Sequence, residues 1–365
     1  MTETVQLAPR QAPATQPQPR RSRRVVVLFV GLAALVVVLA LASAVIGQMS
    51  LTLGEIGASL ERLFSRDQAA FGSRAATVDA VLWTVRWPRL ALAGLAGAGL
   101  GCAGALMQGA FGNPLAEPGV IGVSAGAAAA ACAALAFGGV ALSPWITAAA
   151  AFLGALGATV LLYSLARSGG RTEVVTLVLM GIAVNALAGA AIAFFTFVAN
   201  HSASQEIVFW QMGSLNGTRG AYLWLVGPLV LAGVLAALAL GRQLDLLSLG
   251  ERSAQHLGVN VEQLRIKACL VIAVLTAAAV AFCGIIAFVG LVAPHLVRLV
   301  VGPGHRLVLP ASALGGAVLL LLADLVARNA VAHADLPIGM LTALIGGPFF
   351  FYLLRRTRRR VGGWA

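Results

Sequence analysis

Charge is what this 365-residue chain has least of: only 10% of residues are Asp, Glu, Lys or Arg, while 59% are hydrophobic. A soluble domain of this length carries about 25% charged residues, so a water-exposed globular fold is excluded. Lysine is nearly absent, and Lys267 follows Ile266 rather than glycine. That removes a Walker A loop, which needs Gly and Lys around phosphate. No H-E-x-x-H, no G-x-S-x-G and no clustered His/Cys set occurs, so neither zinc hydrolysis nor a serine nucleophile is encoded. Cys102, Cys132, Cys269 and Cys283 stand singly in apolar segments, without pairing or metal spacing. The chain catalyses no chemistry, holds no metal and binds no cofactor by this reading.

What remains is apolar length. Mean hydropathy is +0.91, and spans of about 20 residues, enough to cross a bilayer, fall at 25–47, 90–108, 119–137, 146–166, 174–199, 221–241, 267–283, 284–301, 307–327 and 338–354. The 267–301 run is broken only by Gly284, Gly290 and Pro294, and reads either as two spans or as one kinked helix. Two spans give an all-α polytopic membrane protein with ten transmembrane helices and both termini on one face. A signal peptide is the alternative for the first span, but Val25–Ile46 exceeds the length of such an apolar core. Forty-two glycines and long Ala runs suit helices that approach closely in lipid.

The arginines set an orientation. One face would hold Arg10, Arg20–Arg24, Arg167, Arg171, Arg242, Arg252, Arg265, Lys267, Arg298, Arg306 and Arg355–Arg360. The other would hold Arg62, Arg66, Arg74, Arg86, Arg89, Arg219 and Arg328. The richer face is cytoplasmic by the positive-inside rule. Residues 1–24 then form a disordered basic cytoplasmic N-terminus, 25–354 the membrane domain, and 355–365 a basic cytoplasmic tail. Basic clusters beside spans meet anionic lipid rather than nucleic acid.

The longest polar break in the second half is 242–267. Within it, Ser248 and Glu251 have capping-box spacing, and Gly258 stands where a left-handed residue closes a helix. Two turns cannot persist alone in water, so the helix needs either its own bundle or another chain to lie on. On the opposite face, Thr52 and Glu55 form a second box before Ile56, Leu60, Leu63 and Phe64 at helical spacing. That helix and Ser202–Gly213 read as segments lying in the membrane surface.

Several blocks together carry a resemblance: GAFGNPLAEPGVIGVSAGA (109–127), LMGIA (179–183), WQMGSL (210–215), LGERSAQHLGV (249–259), FVGLVAPHLVRLVVGPGHRLVLP (288–310), LLADLVAR (321–328) and DLPIGMLTALIGGPFF (335–350). Residues 85–354 resemble the iron-chelate and cobalamin permeases, the membrane subunits of type II ABC importers. The resemblance implies a homodimer around a path, two ATP-binding cassette subunits that carry ATP and Mg beneath it, and a periplasmic substrate-binding protein above it. The location implied is the bacterial inner membrane. It makes Ser248, Leu249, Gly250, Glu251, Arg252, Ala254, Leu257 and Gly258 the ATPase coupling segment, with Leu249, Ala254 and Leu257 facing the partner. It makes Arg86, Arg89 and Arg328 the docking residues for carboxylates of the binding protein, with Asp324 one turn below Arg328. It places a cytoplasmic gate at Asn113, Leu115, Val174 and Val175, although Gly112 replaces the Arg many relatives carry. Asp335 stands where the family usually has Glu.

The substrate expected first is haem, with His201 and His333 as transient iron contacts, ahead of a ferric siderophore and then cobalamin. His295 reads as a structural hydrogen-bonding residue. The rival from another class, an ion-coupled secondary transporter, predicts central intramembrane carboxylates, and only Glu117, Asp324 and Asp335 approach that condition.

Overall fold

A computed structural model describes residues 19–65, 69–138, 143–168, 171–331 and 334–360. The helices in chain order are α1 (Pro19–Val45), α2 (Leu53–Ser65), α3 (Arg74–Ala80), α4 (Trp87–Phe111), α5 (Val123–Gly138), α6 (Pro144–Ala166) and α7 (Val174–Val198). There follow α8 (His201–Met212), α9 (Gly220–Leu247), α10 (Glu251–His256), α11 (Val261–Cys283), α12 (Val289–Val301), α13 (His305–Asn329) and α14 (Ile338–Arg360). Among the described residues eight helices are long and apolar enough to cross a membrane, and α5 and α12 are shorter apolar helices. Together they match the ten expected spans. The 267–301 run is therefore two helices.

Several boundaries differ from expectation, each for a local reason. Helix α1 begins at Pro19, so 19–24 is helical rather than disordered, while 1–18 and 361–365 lie outside the described residues. Helix α9 runs six residues past 241 because Leu244 and Leu247 are buried and extend its packed face. Helix α11 begins at Val261, six residues before 267, capped by Asn260, whose Oδ1 accepts the Gln263 N–H at 3.0 Å. The polar break thus shrinks to 248–260. A two-residue antiparallel ladder, β1 (Arg167–Ser168) and β2 (Arg171–Thr172), was not expected.

Helix α4 is the centre, with most of its residues buried and α9, α11, α12 and α13 packed around it. Gly97, Gly101 and Gly104 recur along one face. A Cβ at these positions would drive into the backbone of Gly316, Ser312 and Gly290 respectively. Backbone meets backbone there, the close approach that small residues permit in lipid.

Helices α2 and α3 form a satellite layer at one end. Thr52 N–H donates to Glu55 Oε2 at 2.8 Å, and Glu55 N–H donates to Thr52 Oγ1 at 3.2 Å, so this capping box is present as read. Ile56 packs with Leu51, Val78 and Leu82, and Arg62 forks onto Asp79 at 2.9 and 2.8 Å. Hence α2 is clamped to α3 as well as exposing Phe64. Helix α8 likewise buries Ala203 and Ile207 against α5.

The Arg74 guanidinium, 2.5 Å from Glu55, and the Thr52 backbone N–H hold the Glu55 carboxyl down at about 2, from an ordinary 4.5. A depressed carboxylate stabilises fully above its unfolded value, and the contribution is lost as pH falls through the folded one. Spin labels at Leu63→Cys and Thr77→Cys should therefore keep a fixed separation down to about pH 4.5 and drift apart as Glu55, and with it Asp79, which Arg62 also holds low, take up protons. Glu55→Gln should loosen the pair already at neutral pH. A constant separation throughout would show that the carboxylate clamps nothing.

Candidate functional site: the two polar ends of the bundle

At one end, α9, α10 and α11 project the segment singled out in the sequence. The capping box proposed there is not formed. Ser248 closes α9, its hydroxyl donating to the Asp245 carbonyl at 2.6 Å, and α10 starts at Glu251 after Gly250 at φ 103°. The Glu251 carboxylate is taken instead by Arg265 of α11. Gly258, at φ 84°, closes α10 as expected, its N–H reaching the Gln255 carbonyl at 2.9 Å. Ala254 is fully buried within the chain and cannot face a partner, because α10 rests on α9 and α11 through it. Leu249 and Leu257 are 63% and 58% exposed, and Arg252 is exposed beside them. Two bare leucines on a short polar segment are an unpartnered apolar surface.

Behind α10 lies a cleft of about 360 Å³ lined by Gln108, Phe111, Arg265, Arg298 and His305 among others. Its walls are cross-tied. Asp245 Oδ1 accepts the His305 backbone N–H at 2.6 Å and lies 3.0 Å from His305 Nδ1, and Arg298 donates to the Gln108 amide oxygen. Tyr163 of α6 donates to Glu262 of α11. The segment's flanking helices are thereby tied to α6 and α13, and the cleft's α12 wall to α4.

The gate candidates are on this end but are not gathered into one cluster by the recorded contacts. Asn113 is exposed, with its Oδ1 accepting the Leu115 N–H at 3.0 Å in an Asx turn, and Leu115 is half-buried. Val174 starts α7 and Val175 is exposed. The α4–α5 connection meets α7 at Gly181 and Asn185, the latter donating to the Gly119 and Val120 carbonyls at 3.3 and 3.4 Å. Beyond the turn, Glu117 Oε1 accepts the Phe288 N–H at 2.6 Å. This links the α4–α5 break to the α11–α12 break.

The opposite end holds the arginines, and here the expected picture changes. Arg86, Arg89 and Arg328 are only 4%, 7% and 8% exposed, so none offers an open fork to the outside. Arg86 donates to the carbonyls of Ala44 and Met49, satisfying the C-terminus of α1. Arg89 Nε donates to Asp324 Oδ1 at 2.8 Å and its Nη1 to Asp335 Oδ2 at 2.6 Å. Arg328 Nε lies 3.1 Å from Asp324 Oδ2, an ion pair by distance that falls short of hydrogen-bond alignment. Asp324 sits one turn from Arg328, as the sequence suggested, and is fully buried. The physical reason for the inward turn is that a guanidinium at this depth needs acceptors, and two carboxylates together with the carbonyls at the C-terminal end of α1 and the turn after it supply them. Missed from sequence was Asp335 as an Arg89 partner. The usable signal was that an acidic residue near an apolar span needs a named cation.

His201 is exposed at the start of α8 with Gln205 Nε2 3.3 Å away, and His333 lies outside the described residues. The His295 ring meets Phe349 edge to face. Among the described residues no His/Cys/Asp/Glu group could hold a metal ion.

The FecCD transport family model matches residues 25–356. The hemin transport system permease protein HmuU of Yersinia pestis is 40% identical over 341 residues, covering 90% of this chain and 95% of that protein. The cobalamin import system permease protein BtuC of Halobacterium salinarum is 43% identical over 279 residues, covering 76% and 74%. A solved inward-facing structure, described as a metal-chelate type ABC transporter, superposes with TM-score 0.78 at 33% identity over 90% of this chain and 99% of that one. The chain belongs to the FecCD transport family and is a non-catalytic, multi-pass permease subunit of an ABC importer.

Proposed function

We propose that this permease carries haem inward by alternating access. It works as a homodimer in the bacterial cytoplasmic membrane, with two ATP-binding cassette subunits at the α10 end and a substrate-binding protein at the Arg89 end. The observation that carries the substrate choice is coverage. The likeness to the hemin permease extends over 90% of this chain, whereas that to the cobalamin permease stops at 76%. Exposed Leu249 and Leu257 support the ATPase contact, with Arg252 at its rim. Ala254 belongs to the chain's own packing and leaves that role. ATP and Mg act on the partner subunits. Since a ligand of equal affinity for both states shifts nothing, ATP and the binding protein must each favour a different state. Family membership sets aside a secondary transporter acting alone.

Deleting the gene should abolish growth on haem as the sole iron source and leave growth on ferric siderophores intact. A defect confined to siderophore, or to cobalamin-dependent growth, would reassign the cargo within the family.

A further inference from the structure

The arginine cluster carries more than the docking reading uses. Arg89 and Arg328 pair with Asp324 and Asp335, while Arg86 turns to backbone carbonyls. The two carboxylates are held differently. Asp324 is on α13, fully buried, and gripped from both sides by Arg89 and Arg328. It is a fixed cross-tie between α4 and α13. Asp335 sits in the non-helical connection before α14, and its side chain is 22% exposed. It holds Arg89 through Nη1 alone, at 2.6 Å.

We propose that Asp335 is a built-in stand-in for an acidic partner, covering Arg89 until a carboxylate on a docking protein displaces it. This rests on the reading above that the Arg89 end receives the binding protein. A guanidinium offers a carboxylate two edges, one through Nε and one through the paired Nη atoms. Asp324 occupies the Nε edge of Arg89 from inside, and Asp335 occupies Nη1 on the remaining edge. An incoming carboxylate that forks onto that edge must take Nη1 from Asp335. Arg86 is no alternative, being spent on backbone carbonyls, and Arg328 is held by Asp324 and points Nη2 to the Ser43 carbonyl at 3.4 Å. Exchange of one carboxylate for another never leaves the buried guanidinium bare, so the costly intermediate, an unpaired buried charge, is avoided. The released Asp335 returns to water, where an exposed carboxylate is well solvated. The pair therefore keeps the docking group ordered and selects for acidic partners over neutral ones. It also lowers docking affinity by the strength of the internal pair.

The test uses the assembled importer in lipid nanodiscs and the substrate-binding protein that sustains its transport in proteoliposomes. Two readouts are taken on D335N, D335E and R89Q. One is the docking Kd. The other is phenylglyoxal labelling of Arg89, read by peptide mass spectrometry without any partner present. D335N should tighten docking by about tenfold, the scale of one charged contact, and raise Arg89 labelling several-fold. D335E should resemble the natural chain in both. Labelling of D335N no higher than that of the natural chain would overturn the proposal, since Asp335 would then cover nothing. So would unchanged or weaker docking in D335N while R89Q still abolishes docking, which leaves the docking reading standing. Unaltered docking in R89Q would remove the docking reading itself.

Discussion

Asp324→Ala should leave almost no monodisperse permease after detergent extraction. The carboxylate has no exposed surface and lies between Arg89 Nε at 2.8 Å and Arg328 Nε at 3.1 Å. Removing one partner from a buried ionic group costs about 3–5 kcal/mol, because the remaining charge is stranded in a medium that cannot solvate it. Here Arg328 loses its carboxylate and keeps only the Ser43 carbonyl, while Arg89 is left with Asp335 alone. Asp324→Asn keeps the shape and one acceptor oxygen, so it should fall between. The informative measurement is the cycle. Arg89→Gln combined with Asp324→Asn should lose less than the sum of the single losses in thermal midpoint, since groups that share a network are not additive. Full additivity would mean that the pair is not energetically coupled.

Leu249→Glu with Leu257→Glu should abolish ATP-driven transport while leaving the permease folded. Both side chains are largely exposed and contribute nothing to the chain's own core. A fully buried leucine at an interface stabilises by roughly 1.5–3 kcal/mol, and each assembly would bury four if two permeases meet two ATPases. A carboxylate in the same place adds a desolvation cost. Co-purification of the ATPase should fall to background, with the thermal midpoint of the isolated permease unchanged. Retained transport would move the coupling contact away from α10. Because Ala254 is enclosed by α9 and α11, a cross-linker placed there should report only intramolecular neighbours, and Leu257→Cys is the position that should reach the ATPase.

Much of the fold was readable because lipid imposes a simple rule. Spans of about 20 apolar residues located the eight long apolar helices and the two shorter ones, α5 and α12, and Gly284, a helix stop by its φ of 68°, divides α11 from α12. Thr52–Glu55 was readable because both halves of the box are local and solvated. Ser248–Glu251 has the same spacing and a different outcome. Buried Leu244 and Leu247 carry α9 onward through Ser248, and Arg265, fourteen residues away, claims the carboxylate. Local pattern lost to tertiary packing. The arginines show the same limit more sharply. Arg89 reads in sequence as a flank beside Trp87, but its acceptors are Asp324 and Asp335, more than two hundred residues later. No local rule connects them.

The Glu117–Phe288 bond constrains how the molecule can move. Phe288 is the one described non-glycine residue with a left-handed backbone, at φ 67°, and its ring fills the space a side chain at Gly346 would need. Its N–H spends its donor on a carboxylate from the α4–α5 turn. Parting the two helix breaks would break this half-buried bond, so the Glu117 turn and Phe288 are expected to move as one block with α4 as its keel. Displacement is then left to the loosely enclosed helices. These are α1, α7 and α14, of which α7 bares Val175, Leu179, Ile182, Leu187 and Phe197 and α14 bares Leu344, Ile345 and Phe351.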